Sequence, residues 1–365
     1  MKILFIGPLP PPINGHSLVC KVLYDSLRNS NLVNTVDLKK QGLKDGKISA
    51  IRVFEIFRVF FEVWQKKKNS DVVYLTISES LAGNLKDIVI YLISYSFLPR
   101  FFIHLHGGSI KRLLFDRFSL LYLINRFFIK KMAGVIISGK SHLEIFESYV
   151  EPSRIFIIPN FAPNDMFITK ANFNKKFSSK EKKIKFLFLS NMIPQKGYLL
   201  LLEAFQKLDK NVKSKIQLNF AGRFDSEEEL EDFKQQIDSD SNIVYHGMVS
   251  DEKKRELFQE SHVFILPTMF YEGQPVSILE AYATGCVVVT TGQSGILDVF
   301  TDEVNGFQIE PNSVDSIIEI FGKLTQLYKK SMLMKIASYN LALASKRYRE
   351  SHYTSRIKRT LGANE

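Results

Sequence analysis

Cysteine is nearly absent from this chain. Its 365 residues hold two, Cys20 and Cys286, far apart and each inside an alternating strand–helix pattern. That excludes a disulfide framework and the paired spacings of a structural zinc site, and it points to a reducing compartment, the cytoplasm. Long apolar runs are missing too. The longest, residues 88–98, is about half of what a bilayer crossing needs, so no transmembrane helix is expected. The opening Met1-Lys2-Ile3-Leu4-Phe5-Ile6-Gly7-Pro8 is too short and too soon broken by proline for a signal peptide. It reads as a buried first strand. No nucleic-acid-binding motif is present, so nucleic acid is not an expected partner.

The chain does have an ordinary globular composition, 45% hydrophobic and 24% charged. Its net charge of +11 is unevenly placed. Residues 1–165 hold 22 Lys and Arg against 13 Asp and Glu, whereas the remainder holds 27 against 25. In the basic part, cations and aromatics interleave. Phe54, Phe57, Arg58, Phe60, Phe61 and Trp64 precede Lys66-Lys67-Lys68, and Arg126-Phe127-Phe128-Ile129-Lys130-Lys131 comes later. Apolar faces edged by Lys and Arg suit an anionic membrane surface. They also suit helices that bury an apolar stripe and solvate their cations, and the pattern alone leaves both readings open.

Hydrophobic periodicity predicts strands at 2–7, 72–77, 101–105, 135–138 and 155–159, with helices at 17–27, 51–67, 81–97, 111–131 and 141–149. Residues 162–183 are polar and aperiodic. The alternation then restarts, with strands at 186–190, 217–221, 243–246, 263–266 and 287–290 and helices at 226–238, 251–260 and 274–284. Short apolar strands between helices predict an α/β chain of two doubly wound parallel sheets. The domains expected are 1–165 and 184–345, joined by a linker at 166–183, with a basic C-terminal helix at 346–365.

In open α/β sheets, ligands bind beyond the carboxyl ends of the strands. Four loops stand there. Pro8-Leu9-Pro10-Pro11-Pro12-Ile13-Asn14-Gly15 follows the first strand, and Gly15 opens a helix where backbone can come close to a phosphate. His106-Gly107-Gly108 follows the strand 101–105, with His104 expected on the opposite face. Asn191-Met192-Ile193-Pro194-Gln195-Lys196-Gly197 follows 186–190. Last comes Glu272-Gly273-Gln274-Pro275-Val276-Ser277-Ile278-Leu279-Glu280. Pro275 suits a helix start, so one carboxylate precedes an open helix N-terminus and the other lies along that helix. The N–H groups of Gln274, Val276 and Ser277 would face an anion. A phosphate site flanked by two acceptor-only carboxylates suits a ligand with phosphates and hydroxyls, such as a nucleotide-sugar.

This run, followed by Ala281-Tyr282-Ala283-Thr284-Gly285-Cys286-Val287 and by Gly295, Asp298 and Asn305-Gly306-Phe307, resembles the E-x7-E signature of retaining GT-B glycosyltransferases of family 4 (glycosyl transferases group 1). The resemblance implies two Rossmann-like domains facing across a cleft, with the first binding the acceptor, the second the donor, and the C-terminal helix packing back on the first. It implies a catalytic set in which Glu272 and His106 lie near the transferred sugar, Lys196 holds the donor diphosphate and Glu280 holds the ribose. Gly15, Gly273, Gln274, Val276 and Ser277 line the donor site. Family members carry an arginine where this chain has Asn191, and Arg223, after the strand 217–221, is the candidate replacement.

The implied reaction moves a sugar, from a UDP-sugar by expectation, to a glycan or polyprenyl-linked acceptor in bacterial surface polysaccharide biosynthesis. No cofactor or metal is expected, since no Asp-x-Asp signature stands near these loops. The expected place is the cytoplasm, on the inner face of the membrane if the basic aromatic surface binds lipid. A non-catalytic nucleotide-sugar-binding subunit and a sugar-nucleotide epimerase of the same fold remain alternatives.

Overall fold

The computed structural model describes residues 1–11, 15–38, 50–178, 183–327 and 331–364. Asn14 of the first loop and residues 179–182 of the expected linker lie outside them. The chain forms two compact units. One comprises Met1–Asn160, Tyr271–Gln274 and Glu350–Glu365, the other Phe161–Phe270 and Pro275–Arg349.

The first unit contains β1 (Lys2–Gly7), α1 (Gly15–Arg28), β2 (Leu32–Asp37), α2 (Ala50–Lys66), β3 (Val72–Thr76), α3 (Leu81–Ile93), β4 (Phe101–Leu105), α4 (Ser119–Ile129), β5 (Gly134–Ile137) and β6 (Ile155–Ile157). All pairings are parallel, in the order β2-β1-β3-β4-β5-β6. β3 and β5 are buried along their whole length, as strands covered by helices on both faces must be. Winding reverses between β1 and β3, which opens a crevice at their carboxyl ends.

The second unit contains α5 (Lys170–Lys176), β7 (Ile184–Leu189), α6 (Tyr198–Gln206), α7 (Lys210–Lys213), β8 (Ile216–Ala221), α8 (Glu227–Ile237), β9 (Ile243–Tyr245), α9 (Asp251–Glu260), β10 (Val263–Leu266), α10 (Val276–Ala283), β11 (Val287–Thr291), β12 (Gly306–Ile309), α11 (Val314–Leu327) and α12 (Ser331–Arg347). Its parallel order, β9-β8-β7-β10-β11-β12, is that of a dinucleotide-binding fold, reversing between β7 and β10. α13 (Glu350–Leu361) belongs to the first unit and packs against α1.

Several elements differ from the sequence expectation. β2 and β12 are added edge strands. The expected helix 111–131 is broken: a π-helical turn, Lys111–Phe115, is followed by a non-helical Phe118 before α4 begins. The expected helix 141–149 is a short 3-10 turn, Lys140–Ile145. Within the segment 166–183, α5 is capped by the Thr169 side chain and buries Phe173 and Lys176. The Lys176 ammonium donates to the carbonyls of Phe258 and Thr284 at 3.2 and 3.0 Å and to Cys286 Sγ at 3.3 Å, satisfying the C-terminal ends of α9 and α10.

Candidate functional site

Around the β1/β3 crevice of the first unit, the loop residues come together as a histidine stack. The His106 ring lies 3.8 Å from that of His104 and 4.5 Å from that of His16 on α1. His104, expected on the opposite face, stacks beneath His106, because residues two apart on a strand share a face. The Tyr74 hydroxyl on β3 holds His104 Nδ1 at 2.7 Å and lies 3.5 Å from His106 Nε2. Burial, helped by the neighbouring imidazoles, pushes His104 down to about 3 and His106 well below the usual histidine value. His106 is therefore a neutral hydrogen-bonding group at neutral pH, with no cationic charge to offer. Gly15 is exposed at the start of α1.

Tyr271–Gln274 is part of this unit although it comes late in the sequence. Its anchor is Gln274, whose buried side chain accepts from Asn160 N at 2.6 Å and donates to the Ser138 carbonyl at 3.2 Å. Asn160 Nδ2 returns a bond to the Gln274 carbonyl at 3.0 Å, and Ser109 Oγ donates to that of Tyr271 at 3.0 Å. The expectation that Gln274 serves mainly through its backbone thus omits what its side chain does. Two glycines make the approach possible. A Cβ on Gly273 would stand 2.0 Å from the His106 carbonyl oxygen, and one on Gly108 2.4 Å from that of Glu272.

Glu272 is buried beside Glu79, a residue the sequence reading missed. Glu79 follows β3, and its carboxylate accepts from the N–H groups of Ser109 and Ile110 at 2.5 and 2.9 Å, so it shapes the turn after His106. A Cβ on Gly107 would strike that carboxylate. Burial raises the Glu79 pKa, the two N–H bonds oppose the rise and the Glu272 charge adds to it. The only signal in the sequence was its place just after a strand.

In the second unit, the β7/β10 crevice gathers the remaining candidates. Lys196 ends a short 3-10 turn after β7, and Gly197 at φ +83° is the cap residue just before α6. A side chain on Gly197 would meet the Pro267 carbonyl oxygen at 2.2 Å. The Gln195 carbonyl accepts from Met269 N at 2.8 Å, so the loops after β7 and β10 are tied together. The Lys196 ammonium lies 4.9 Å from the centre of the Phe270 ring. Asn191 is exposed at the end of β7, and the adjoining Met192 N donates to the Arg223 carbonyl at 3.0 Å. Arg223 is therefore a neighbour of the Asn191 turn, with its guanidinium 3.4 Å from Asp225.

Pro275 is the residue just before α10, one place earlier than expected, and Val276 and Ser277 occupy the first turn. Their N–H groups have no carbonyl four residues back within the helix. Glu280, one turn further, is buried and pairs with Lys254 of α9 at 2.5 Å. That lysine was also missed, because α9 reads as a plain solvated helix.

The described residues thus divide the candidates between the units. Gly15, His106, Glu272, Gly273 and Gln274 belong to the first, and Asn191, Lys196, Arg223, Val276, Ser277 and Glu280 to the second.

Comparisons with known proteins converge on one class. Residues 169–340 match the family model described as glycosyl transferases group 1. An uncharacterised glycosyltransferase of Methanocaldococcus jannaschii is 29% identical over 148 residues, 40% of this chain and 37% of that protein. The Escherichia coli UDP-Gal:alpha-D-GlcNAc-diphosphoundecaprenol alpha-1,3-galactosyltransferase is 28% identical over 187 residues, 50% of this chain and 48% of that protein. The matched stretches therefore span about half or less of these relatives. Among solved structures, Anabaena Alr3699/HepE in complex with UDP and glucose superposes over 100% of both chains at a TM-score of 0.75 and 17% identity. The fold is the GT-B class of two Rossmann-like parallel-sheet domains.

Proposed function

We propose that this protein is a retaining glycosyltransferase of family 4, moving a sugar from a UDP-sugar to a glycan or polyprenyl-linked acceptor in bacterial surface polysaccharide biosynthesis. One observation carries the reading. Lys196 and the open N-terminus of α10 stand at the β7/β10 reversal, with the buried Glu280 one turn into the same helix. A lysine and a helix N-terminus stabilise the charge of a departing nucleoside diphosphate without a metal. Glu280 is then the ribose acceptor group, and Lys254 fixes its orientation. Glu272 and the neutral His106 serve the sugar, as hydrogen-bonding groups. Arg223 supplies the second cation that Asn191 does not. The UDP bound by the Anabaena protein and the diphosphoundecaprenol acceptor in the name of the Escherichia coli relative support the choice of donor and acceptor.

The test is a thermal-shift screen of UDP, GDP, ADP and their sugar conjugates. A ligand of the native state raises Tm by mass action. UDP and one UDP-sugar are expected to do so, and Glu280→Ala is expected to remove most of the shift. Coupling the screen to UDP release separates the alternatives. Binding without release favours a non-catalytic subunit. Conversion of the donor sugar without an acceptor favours an epimerase. No shift on folded protein would sink all three.

The acceptor side adds a membrane. Phe54, Phe57 and Phe61 are more than half exposed on α2, while Val59 and Val63 fill its buried side. Leu92 on α3 and Leu120 and Phe127 on α4 are exposed as well, and α3 packs against both α2 and α4. Cations lie at these rings: Lys68 is 4.7 Å from the centre of Trp64 and Lys131 is 5.2 Å from that of Phe127. Aromatics flanked by lysines suit the interface of an anionic bilayer. Among the described residues, no helix is long and apolar enough to cross a membrane. In this reading the protein sits peripherally on the inner face of the membrane, held by these aromatics and lysines. It is expected to sediment with anionic vesicles at low salt and to be released at high salt, and Phe57→Ser with Phe61→Ser should weaken binding about tenfold or more. Equal partition between anionic and neutral vesicles at both salts would count against it.

A further inference from the structure

Three groups that none of the proposed steps requires together meet beside the β1/β3 crevice. His16 and Cys20 are one turn apart on α1, and His106 stands just after β4. One ligand atom from each, two imidazole nitrogens and a sulfur, lie within 4.8 Å of one another. A tetrahedral ion with bonds of about 2.0 Å to nitrogen and 2.3 Å to sulfur needs its ligands about 3.5 Å apart, so closure takes movements of about 1 Å. A helical i, i+4 pair holds two ligands on one face, and a strand end holds the third. Cys20 is fully buried, with the Asp37 carboxylate as a nearby negative charge. A cation bound at that sulfur would be stabilised by the same carboxylate.

We propose that His16, Cys20 and His106 form a binding site for a thiophilic divalent cation of the zinc class. Two imidazoles and a thiolate select zinc, cobalt or cadmium and give little to magnesium or calcium, which need oxygen ligands. Binding forms a metal–sulfur bond and sends the thiol proton to solvent, with no change of oxidation state. Metal on His106 withdraws that imidazole from the donor sugar, so occupancy inhibits transfer. The inhibitory part rests on the role given to His106 above; the binding does not.

Cobalt(II) is the probe, because its absorption reports sulfur ligation without any activity assay. Titration of the full-length protein is expected to give a thiolate-to-cobalt charge-transfer band and the strong visible bands of four-coordinate cobalt, saturating at one equivalent. Zinc should bleach them and magnesium should not. Cys286→Ser is expected to keep the charge-transfer band and Cys20→Ser to lose it. His16→Asn, at a partly exposed position, should weaken binding at least tenfold. Where transfer is measurable, Cys20→Ser should retain it and lose sensitivity to zinc. Absence of the band in folded wild-type protein, or its survival in Cys20→Ser, would overturn the site. Neither result depends on whether the chain transfers sugar.

Discussion

Gly273→Ala is expected to lower kcat/KM for transfer at least about a hundredfold. The added methyl would stand 2.0 Å from the His106 carbonyl oxygen and within 3 Å of the Gly107 backbone. Backbone on both sides must move, and no rotamer can relieve the clash. Tyr271–Gln274 is held on the first unit by hydrogen bonds donated by Asn160 and Ser109 and one accepted by the Ser138 carbonyl, so displacing Gly273 shifts Glu272 while its anchors resist. Misplacement of about 1 Å at a reacting centre is worth roughly two orders of magnitude in rate. Stability should fall by about 1–3 kcal/mol, as for other overpacked sites. Gly322→Ala is the control. Nothing lies within 4 Å of its would-be Cβ on α11, so it should leave the rate at wild type and, as Ala replaces Gly inside a helix, raise stability by up to about 1 kcal/mol. Steady-state kinetics and urea unfolding of the two variants make the comparison, and wild-type activity in Gly273→Ala would show that the close approach is dispensable.

Lys196→Ala should lower kcat by about a hundredfold to a thousandfold, with a smaller rise in KM. The charge on the leaving diphosphate grows as the glycosidic bond breaks, so a fixed cation contributes more in the transition state than in the ground state. Lys196 is a single charge held over the Phe270 ring beside a left-handed Gly197. Arg223, exposed and already near Asp225, is the weaker partner, and Arg223→Ala should cost about tenfold. Asn191→Arg restores the charge the chain lacks and is expected to tighten UDP binding. A Lys196→Ala variant that changes KM alone would make the lysine a binding group with no part in leaving-group departure.

The legibility of these residues in the sequence follows from burial. β1, β3, β10 and β11 are buried on both faces and read as short apolar runs. β2 and β12 are edge strands. Leu32 begins β2 with 68% of its surface exposed, and Gly306 begins β12, so neither offers such a run. The candidate loops stand out because each joins a strand to glycine or proline where backbone must turn tightly. Glu79 and Lys254 were not readable. Each acts on a partner distant in sequence, Glu79 on Ser109 and Ile110, Lys254 on Glu280. Such pairs exist only once the sheets are wound.

The first unit is assembled from three separate stretches of chain, with Tyr271–Gln274 and Glu350–Glu365 added to Met1–Asn160. Recombination between relatives must respect that. A hybrid gene that exchanges only the first 160 codons would pair one parent's Asn160 and Ser138 with the other parent's residue at 274, and one parent's α1 with the other's α13. The inheritable block for the first unit is therefore discontinuous. Grafts that carry 271–274 and 350–365 along with the amino-terminal portion should fold and turn over more often than those cut once at the unit boundary.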